Sequence, residues 1–140
     1  MPWLLASASV LHAQEAKPLK PADLSLPGVA IDDDSAALRH RLGAPTTIDS
    51  TGWHYQDLGV FLVGGKVAIL SITGPSRPTH RGLRVGDPAA RATSLYRPCF
   101  ADSTFVQICY NPDDFDERAV TVVLAGGRVA RINIGRIIEP

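Results

Sequence analysis

The spacing of apolar residues predicts two short helices, one in each half of the chain. In the first half, Leu38 and Leu42 lie four positions apart and follow Ile31, which places them on one face of a helix. Asp33 and Asp87 stand where N-cap residues are expected. The second helix repeats the apolar stripe with Val85, Ala89, Ala92 and Leu95.

After each helix the apolar period changes to two, which is the period of a β-strand. Two hairpins are predicted, each around a Gly-Gly pair that is typical of a primed turn: 58–63 with 66–72, and 119–125 with 128–134. In the last of these strands apolar Ala130, Ile132 and Ile134 alternate with polar residues, so one face is buried and the other is solvated. Ile69 stands where the second half has Arg131, so the outer face of the first half is more apolar.

These elements form an internal repeat. Residues 28–45 align with 82–98, Trp53-His54-Tyr55 with Ile108-Cys109-Tyr110, and 60–72 with 122–134. The repeat predicts an α+β fold of two tandem units, 28–74 and 82–136, each a short helix packed on a three-stranded antiparallel meander. Because one such unit buries little surface, we expect both to share a core or a continuous sheet within a single domain, 28–140.

Length and charge exclude several classes of function. The chain has 140 residues, which is one ordinary domain, and its 14 Lys and Arg balance 14 Asp and Glu. A chain with a net charge of zero lacks the broad basic surface that binding to nucleic acid requires, so we do not expect nucleic acid as a partner. The mature chain has no apolar stretch of about 18 residues, so we expect no transmembrane segment.

The first residues have the pattern of an export signal. Residues 3–11 form a short apolar run, and cleavage after Ala13 would leave a chain that starts at Gln14. The alternative is a terminal helix that is frayed or packed on the core. We therefore expect a signal peptide over 1–13, a Pro-rich linker over 14–27, and a periplasmic or secreted protein.

The two cysteines fit an exported chain. Cys99 and Cys109 are ten positions apart, and outside the cytoplasm we expect them to form a disulfide. A zinc site would need a second pair of ligands at normal spacing, and a cysteine nucleophile would need a histidine, which is absent near either position in the sequence.

The order of elements resembles the superfamily of β-lactamase inhibitory protein and the small outer-membrane assembly lipoproteins of the SmpA/OmlA (BamE-like) type. The features that carry the resemblance are a capped helix that ends in Leu42-Gly43-Ala44-Pro45, an aromatic strand that ends in Tyr55, and a Gly-Gly hairpin. The resemblance implies helices packed on an antiparallel sheet, and cysteines placed after the helix and at the end of the next strand. Because both hairpin tips are Gly-Gly, it implies a fold and not lactamase inhibition.

His54 is the histidine that lies within a predicted strand, and it is the candidate centre of a catalytic alternative. Its neighbours in sequence include no Ser or Cys nucleophile with an acidic partner. The acidic segment 111–117 lacks the spacing of a calcium loop, and the run of acids at 32–34 is explained by helix capping. We therefore expect no catalytic residue, no metal site and no cofactor.

The remaining candidate is an aromatic binding surface. Trp53 and Tyr55 share one face of a strand, Tyr110 is the aligned residue of the second half, and Phe115 lies among acidic residues. These four are the expected partner-binding residues if their face of the sheet is open. If that face is turned to the helices, Trp53 and Tyr55 are core residues.

The sequence therefore favours a non-catalytic exported protein, inhibitor-like in character, that binds another protein or an envelope component. Two alternatives remain. One is a small periplasmic hydrolase or ligand-binding module centred on His54, and the other is a structural envelope scaffold.

Overall fold

The computed structural model describes residues 19–109 and 118–136, and β-strands dominate this range. It begins with a 3-10 helix, Pro21–Leu24, followed by the antiparallel pair β1 (Ser25–Leu26) and β2 (Val29–Ala30). The later elements are α1 (Ser35–Leu42), β3 (Thr47–Asp49), β4 (Gly52–Tyr55), β5 (Leu58–Val63), β6 (Lys66–Ile72), α2 (Ala89–Leu95), β7 (Phe100–Ala101), β8 (Phe105–Cys109), β9 (Arg118–Ala125) and β10 (Arg128–Arg136).

Strands β3 to β10 form one antiparallel sheet in the order β3-β4-β5-β6-β10-β9-β8-β7. Its centre is the pairing of β6 with β10, where Leu70 lies opposite Ile134 and Ile72 opposite Ile132. The short strands β3 and β7 are its two edges.

The predicted fold class is therefore wrong. The described chain does not form two tandem units, each a helix on a three-stranded meander, but one eight-stranded sheet, a small two-stranded sheet and two helices of eight and seven residues. The difference has a physical reason. Thr47–Asp49 and Phe100–Ala101 are three and two residues long, too short to show an alternating pattern, and they form by pairing with longer strands.

The core lies between one face of the sheet, the inner face, and the two helices with the connecting segments. Buried residues of the inner face are Leu58, Val60, Leu70, Ile72, Val106, Ile108, Val120, Val122, Ile132 and Ile134. The residues that cover them include Leu38 of α1, Ala92 of α2, Leu83 and Tyr96. The opposite side of the sheet is called the outer face below.

Part of the segment expected to be a linker belongs to this core. Leu19, Leu24 and Leu26 are each 6% exposed. Between them, Asp23 is 3% exposed and accepts hydrogen bonds from Nε and Nη2 of Arg81, at 3.0 and 2.8 Å. Apolar burial and an ion pair therefore hold residues 19–27 on the rest of the fold.

The helix starts differ from the predicted ones by one residue. Asp34 is the N-cap of α1, and its carboxylate accepts the N–H of the third helical residue at 2.7 Å. The carboxylate of Asp33 instead accepts the N–H of Ala30 at 2.9 Å, and that of Asp87 accepts the N–H of Arg84 at the same distance. Both aspartates thus close the turn before the helix, which leaves the cap position to the next residue.

The two Gly-Gly hairpins form as predicted. The glycines have φ values of 59° and 77° in the first turn and 60° and 75° in the second, which a primed turn requires. The pairing of each hairpin then shifts by one residue, at Ala68 and at Ala130. Because of this bulge Val129 is buried and Ala130 is exposed, so the prediction that Ala130 shares the inner face is wrong.

Candidate functional site

A groove of about 610 Å³ crosses the outer face of the sheet. Its apolar wall is formed by Phe61, which is 40% exposed, and Ile69. The other lining residues are small or polar: Ser50, Thr51, His54, Gly59, Ser71, Thr73, Arg131 and Asn133. Both described helices pack on the inner face, so neither covers this groove.

The strand register explains why these side chains meet. Partners that lie opposite one another on neighbouring strands form a row that crosses the sheet from β4 to β8 on the outer face. In order, its members are His54, Gly59, Ser71, Asn133, Thr121 and Gln107. The groove occupies the half of this row that contains His54.

His54 is held by a turn that precedes its strand. Its Nε2 lies 2.9 Å from Oδ1 of Asp49 and 2.9 Å from Oγ1 of Thr51. The hydroxyl and the backbone N–H of Thr51 donate to the same Asp49 oxygen, at 2.6 and 2.8 Å. Hydrogen bonds from Thr51 and His54 lower the pKa of Asp49 to about 2. The ionised carboxylate favours the neutral tautomer of His54 that carries its hydrogen on Nε2, and in this tautomer Nδ1 is an acceptor.

These three residues do not have the geometry of a catalytic relay. A relay needs the carboxylate on one ring nitrogen and the nucleophile on the other, whereas Nε2 of His54 contacts both. The turn also recurs: Asp102 accepts from the backbone N–H and hydroxyl of Thr104 at 2.7 and 2.6 Å. In β8, the strand that follows this turn, the residue that matches His54 is Gln107. The Asp and Thr residues therefore close the turn whether or not a histidine is present.

This recurrence corrects the alignment of the two halves. His54 lies opposite Thr47 and Gly59, just as Gln107 lies opposite Phe100 and Thr121. The offset between these strands is therefore 53 residues and not 55, so the partner of Tyr55 is Ile108 and not Tyr110. The signal that was missed is the tripeptide Asp-Ser-Thr, at 49–51 and again at 102–104.

The predicted aromatic residues of β4 point to the inner face. Trp53 and Tyr55 are half-buried and pack against the core. The guanidinium of Arg39 lies 5.7 Å from the centre of the Trp53 ring, and the Tyr55 hydroxyl donates to the carbonyl of Gly43 at 2.9 Å. Burial raises the pKa of Tyr55. These side chains thus join β4 to α1 and its end.

Of the other predicted positions, the two cysteines lie near the far edge of the sheet. Tyr110 and Phe115 lie outside the described residues. Cys99 and Cys109 form the predicted disulfide, with their Cα atoms 5.8 Å apart. Nearby, the rings of Phe100 and Phe105 stack with centroids 5.1 Å apart.

Gly59 leaves space at the floor of the groove. It lies within a strand, and its φ does not fall in the range that favours glycine, so the backbone does not require it. A Cβ at this position would lie 3.7 Å from Nδ1 of His54 and 3.8 Å from Cβ of Ser71. The second half has Thr121 here. A strand glycine of this kind often marks a close approach by a ligand or another chain.

The charge of the groove comes from Arg131. This side chain is exposed and forms no hydrogen bond or ion pair with the described residues. Beside it, the Ser71 hydroxyl donates to Oδ1 of Asn133 at 2.7 Å. The amide nitrogen of Asn133 therefore remains a donor for a bound group.

Comparison with known proteins gives one distant structural similarity. The chain matches no protein-family model, and no curated protein matches it either. Its fold is similar to the crystal structure of an extracellular protein containing an SCP domain from Bacillus anthracis str. Ames, with a TM-score of 0.55 and 11% identity. The match covers 76% of this chain and 44% of the other, so this chain spans less than half of that protein's length. At this identity the similarity shows the fold alone.

Two further points concern the sequence predictions. The resemblance to the superfamily of β-lactamase inhibitory protein is not addressed by these matches and stays a prediction. Within residues 19–109 and 118–136, neither helix has the length and apolar composition to cross a bilayer.

Proposed function

We propose that the protein is an exported, non-catalytic binding protein whose groove on the outer face holds a segment of another protein. The observation that carries the proposal is the groove itself, because Phe61 and Ile69 stand beside unpaired hydrogen-bonding groups on a face that neither helix covers. Protein interfaces combine apolar anchors and polar groups in this way.

Two observations support export. The Cys99–Cys109 disulfide is of the kind that persists outside the cytoplasm. The structural neighbour is described as extracellular. With the apolar run at 3–11, they favour a periplasmic or secreted location.

The arrangement around His54 supports binding over hydrolysis. A general base needs a free nitrogen beside a nucleophile, and here Thr51 and Asp49 meet the same Nε2. The remaining nitrogen, Nδ1, faces the space above Gly59, where it can accept a hydrogen bond from a bound group. A purely structural scaffold does not require an open space at this position.

The partner's chemistry follows from the lining. No carboxylate lines the groove, and Arg131 is its permanent charge. A partner segment that brings an acidic side chain to Arg131 and an apolar side chain to Phe61 and Ile69 would complement both.

The test is photo-crosslinking from the groove in the exporting cell. A benzophenone amino acid is placed at Phe61, and the control places it at His40, which is exposed on α1. A partner linked only from Phe61 is then purified. Its affinity is measured for the wild type, for the double variant Phe61→Ser with Ile69→Ser, and for His40→Ser.

We expect the groove variant to lose at least tenfold in affinity, because it removes two apolar contacts, and the His40 variant to bind as the wild type does. Equal affinity of the folded groove variant, shown to be folded by circular dichroism, would overturn the proposal. Crosslinks that form from His40 and not from Phe61 would overturn it as well.

A further inference from the structure

A second apolar patch lies on the outer face, near the β7 edge of the sheet, and consists of Phe100, Phe105 and Val123. Phe100 lies opposite Gln107 of the outer row, and Phe105 lies opposite Val123, two positions away along β8. Phe100 is 48% exposed, and its ring stacks on that of Phe105. Among the described aromatic residues, Phe61 and Phe100 are the most exposed, and both lie on the outer face.

The short strand β7 holds its exposed phenylalanine in a fixed position. Cys99, the residue before it, is joined to β8 by the disulfide with Cys109, and the Cys99 N–H donates to the carbonyl of Gln107 at 2.9 Å. At the other end of the strand, the N–H of Asp102 donates to the carbonyl of Phe105 at 3.0 Å. An aromatic side chain on a backbone that is held at both ends loses little freedom on binding, which makes it a good contact for a partner.

Arg131 joins this patch to the groove. It lies opposite Val123, and Val123 lies opposite Phe105, so the three form one row across β10, β9 and β8. At two strand spacings of about 4.8 Å, the Cα atoms of Arg131 and Phe105 are about 10 Å apart. The same arginine lines the groove, and both described helices pack on the opposite face. The groove and the patch are therefore parts of one surface that meet at a cationic side chain.

The width of this surface favours a folded partner. It extends from β4, which carries His54, to β7, which carries Phe100, and these strands are six spacings apart in the sheet, about 29 Å. A flexible segment would have to be ordered over about nine residues to reach both ends, and each ordered residue costs affinity. A folded protein presents both contacts at a fixed distance, and interfaces between folded proteins commonly cover about 800 Å² on each partner.

We infer that the binding surface extends from the groove over Arg131 to the stacked pair Phe100 and Phe105, and that the partner is a folded protein with two apolar contacts and an acidic group between them. The inference rests on the proposed function, because the groove is one part of this surface. The acidic group lies at Arg131. One apolar contact fills the groove beside Phe61 and Ile69, and the other packs on the ring of Phe100.

The probe is the full-length, folded partner that is purified through the crosslink from Phe61, and a peptide with the sequence of its crosslinked segment is measured beside it. The proteins are the wild type, Phe100→Ser, Phe100→Leu and the control Ile48→Ser. Ile48 is 58% exposed and lies opposite Trp53, on the inner side of the sheet, so the control removes an exposed apolar side chain outside the proposed surface. Affinity is measured by titration calorimetry, and circular dichroism checks that each variant is folded.

Phe100→Ser should weaken binding of the full-length partner at least about tenfold, because aromatic contacts at the centre of an interface carry much of the binding energy. Phe100→Leu should weaken it less, since an apolar side chain remains, and Ile48→Ser should change nothing. The peptide reaches only the groove, so Phe100→Ser should leave its affinity unchanged. A benzophenone amino acid at position 100 should link to the same partner, at a site different from the one linked from Phe61.

The outcomes separate this inference from the proposed function. If Phe100→Ser does not change the affinity of the full-length partner, while Phe61→Ser with Ile69→Ser still weakens it, the extended surface is wrong and the binding function stands. Protection of Phe100 from hydroxyl-radical labelling in the free protein would also overturn the inference, because another part of this chain would then cover the ring. Equal losses for the peptide and the full-length partner on Phe100→Ser would overturn the folded partner in favour of an extended segment. If the partner's affinity does not depend on Phe61 and Ile69, the proposed function fails, and this inference fails with it.

Discussion

The ion pair between Asp23 and Arg81 gives the sharpest test of how the first described residues are held. The Asp23 side chain is 2% exposed and that of Arg81 is 17% exposed. Nη1 of Arg81 also donates to the carbonyl of Leu95 at 2.8 Å, and the guanidinium lies 4.7 Å from the centre of the Tyr96 ring. The substitution Arg81→Met removes all of these contacts and keeps much of the side-chain volume.

The expected cost follows from burial. Removal of one partner of a buried ion pair destabilises a protein by about 3 to 5 kcal/mol, because the other charge is left without compensation. The backbone N–H of Lys20 still donates to Asp23 at 2.8 Å, so we expect the lower end, about 3 kcal/mol. With a denaturant slope of about 1.5 kcal/mol/M, the urea midpoint should fall by about 2 M.

The assay is urea denaturation followed by far-UV circular dichroism, with two comparisons. Arg41→Met removes an exposed pair with Asp33, 53% and 20% exposed, and should cost about 0.5 kcal/mol or less. The double variant Asp23→Leu with Arg81→Met leaves no buried charge and should be more stable than Arg81→Met alone. A loss below about 1 kcal/mol for Arg81→Met would refute the reasoning, since it would mean that Asp23 is not buried in solution.

Three further predictions concern the groove, the disulfide and the turn at Asp102. Gly59→Thr, which introduces the residue found at this row position in the second half, should stabilise the protein by up to about 1 kcal/mol in thermal unfolding and weaken partner binding at least tenfold. A destabilised variant would contradict the space described above Gly59. Serine at both Cys99 and Cys109 should lower the free energy of unfolding by about 3 kcal/mol, from the closure of a loop of this length. An unchanged urea midpoint would exclude this contribution of the disulfide to stability. Hydrogen bonds from Thr104 lower the pKa of Asp102, so the folded protein gains stability from this carboxylate above the ordinary carboxyl pKa and loses it as the pH falls through the lowered value. In Thr104→Ala the Asp102 pKa, measured by NMR titration, should rise toward its usual range, and an unaltered titration would show that the hydroxyl has no such effect.

Local patterns in the sequence predict the long strands and their turns well. The Gly-Gly pairs fix two hairpins because both turn residues need a positive φ, which glycine adopts at no steric cost. The strands of two and three residues are different, because their pairing depends on neighbours that are distant in sequence. Asp23 and Arg81 are 58 residues apart, and no local pattern indicates that they meet.

The sequence predicts only part of the candidate site, for a related reason. Alternation shows that Trp53 and Tyr55 share one face and that His54 lies on the other, but it does not show which face the helices cover. That choice depends on where α1 packs. Once α1 lies over Trp53, His54 and its neighbours of the outer face become the candidate surface, and Gly59 acquires a role that its sequence context did not suggest.

The two edges of the large sheet have a consequence for how the protein behaves at high concentration. An open edge presents backbone donors and acceptors that a second molecule can pair with, and a long, flat edge is an aggregation hazard. Here β3 and β7 offer only three and two residues, and each is followed by an acidic turn built on Asp49 or Asp102. Because each edge exposes so few backbone groups, and because these lie beside a negative charge, a neighbouring copy of the protein has little backbone with which to pair. The two short edge strands, which have no recognisable pattern in the sequence, therefore limit the addition of further strands to the sheet.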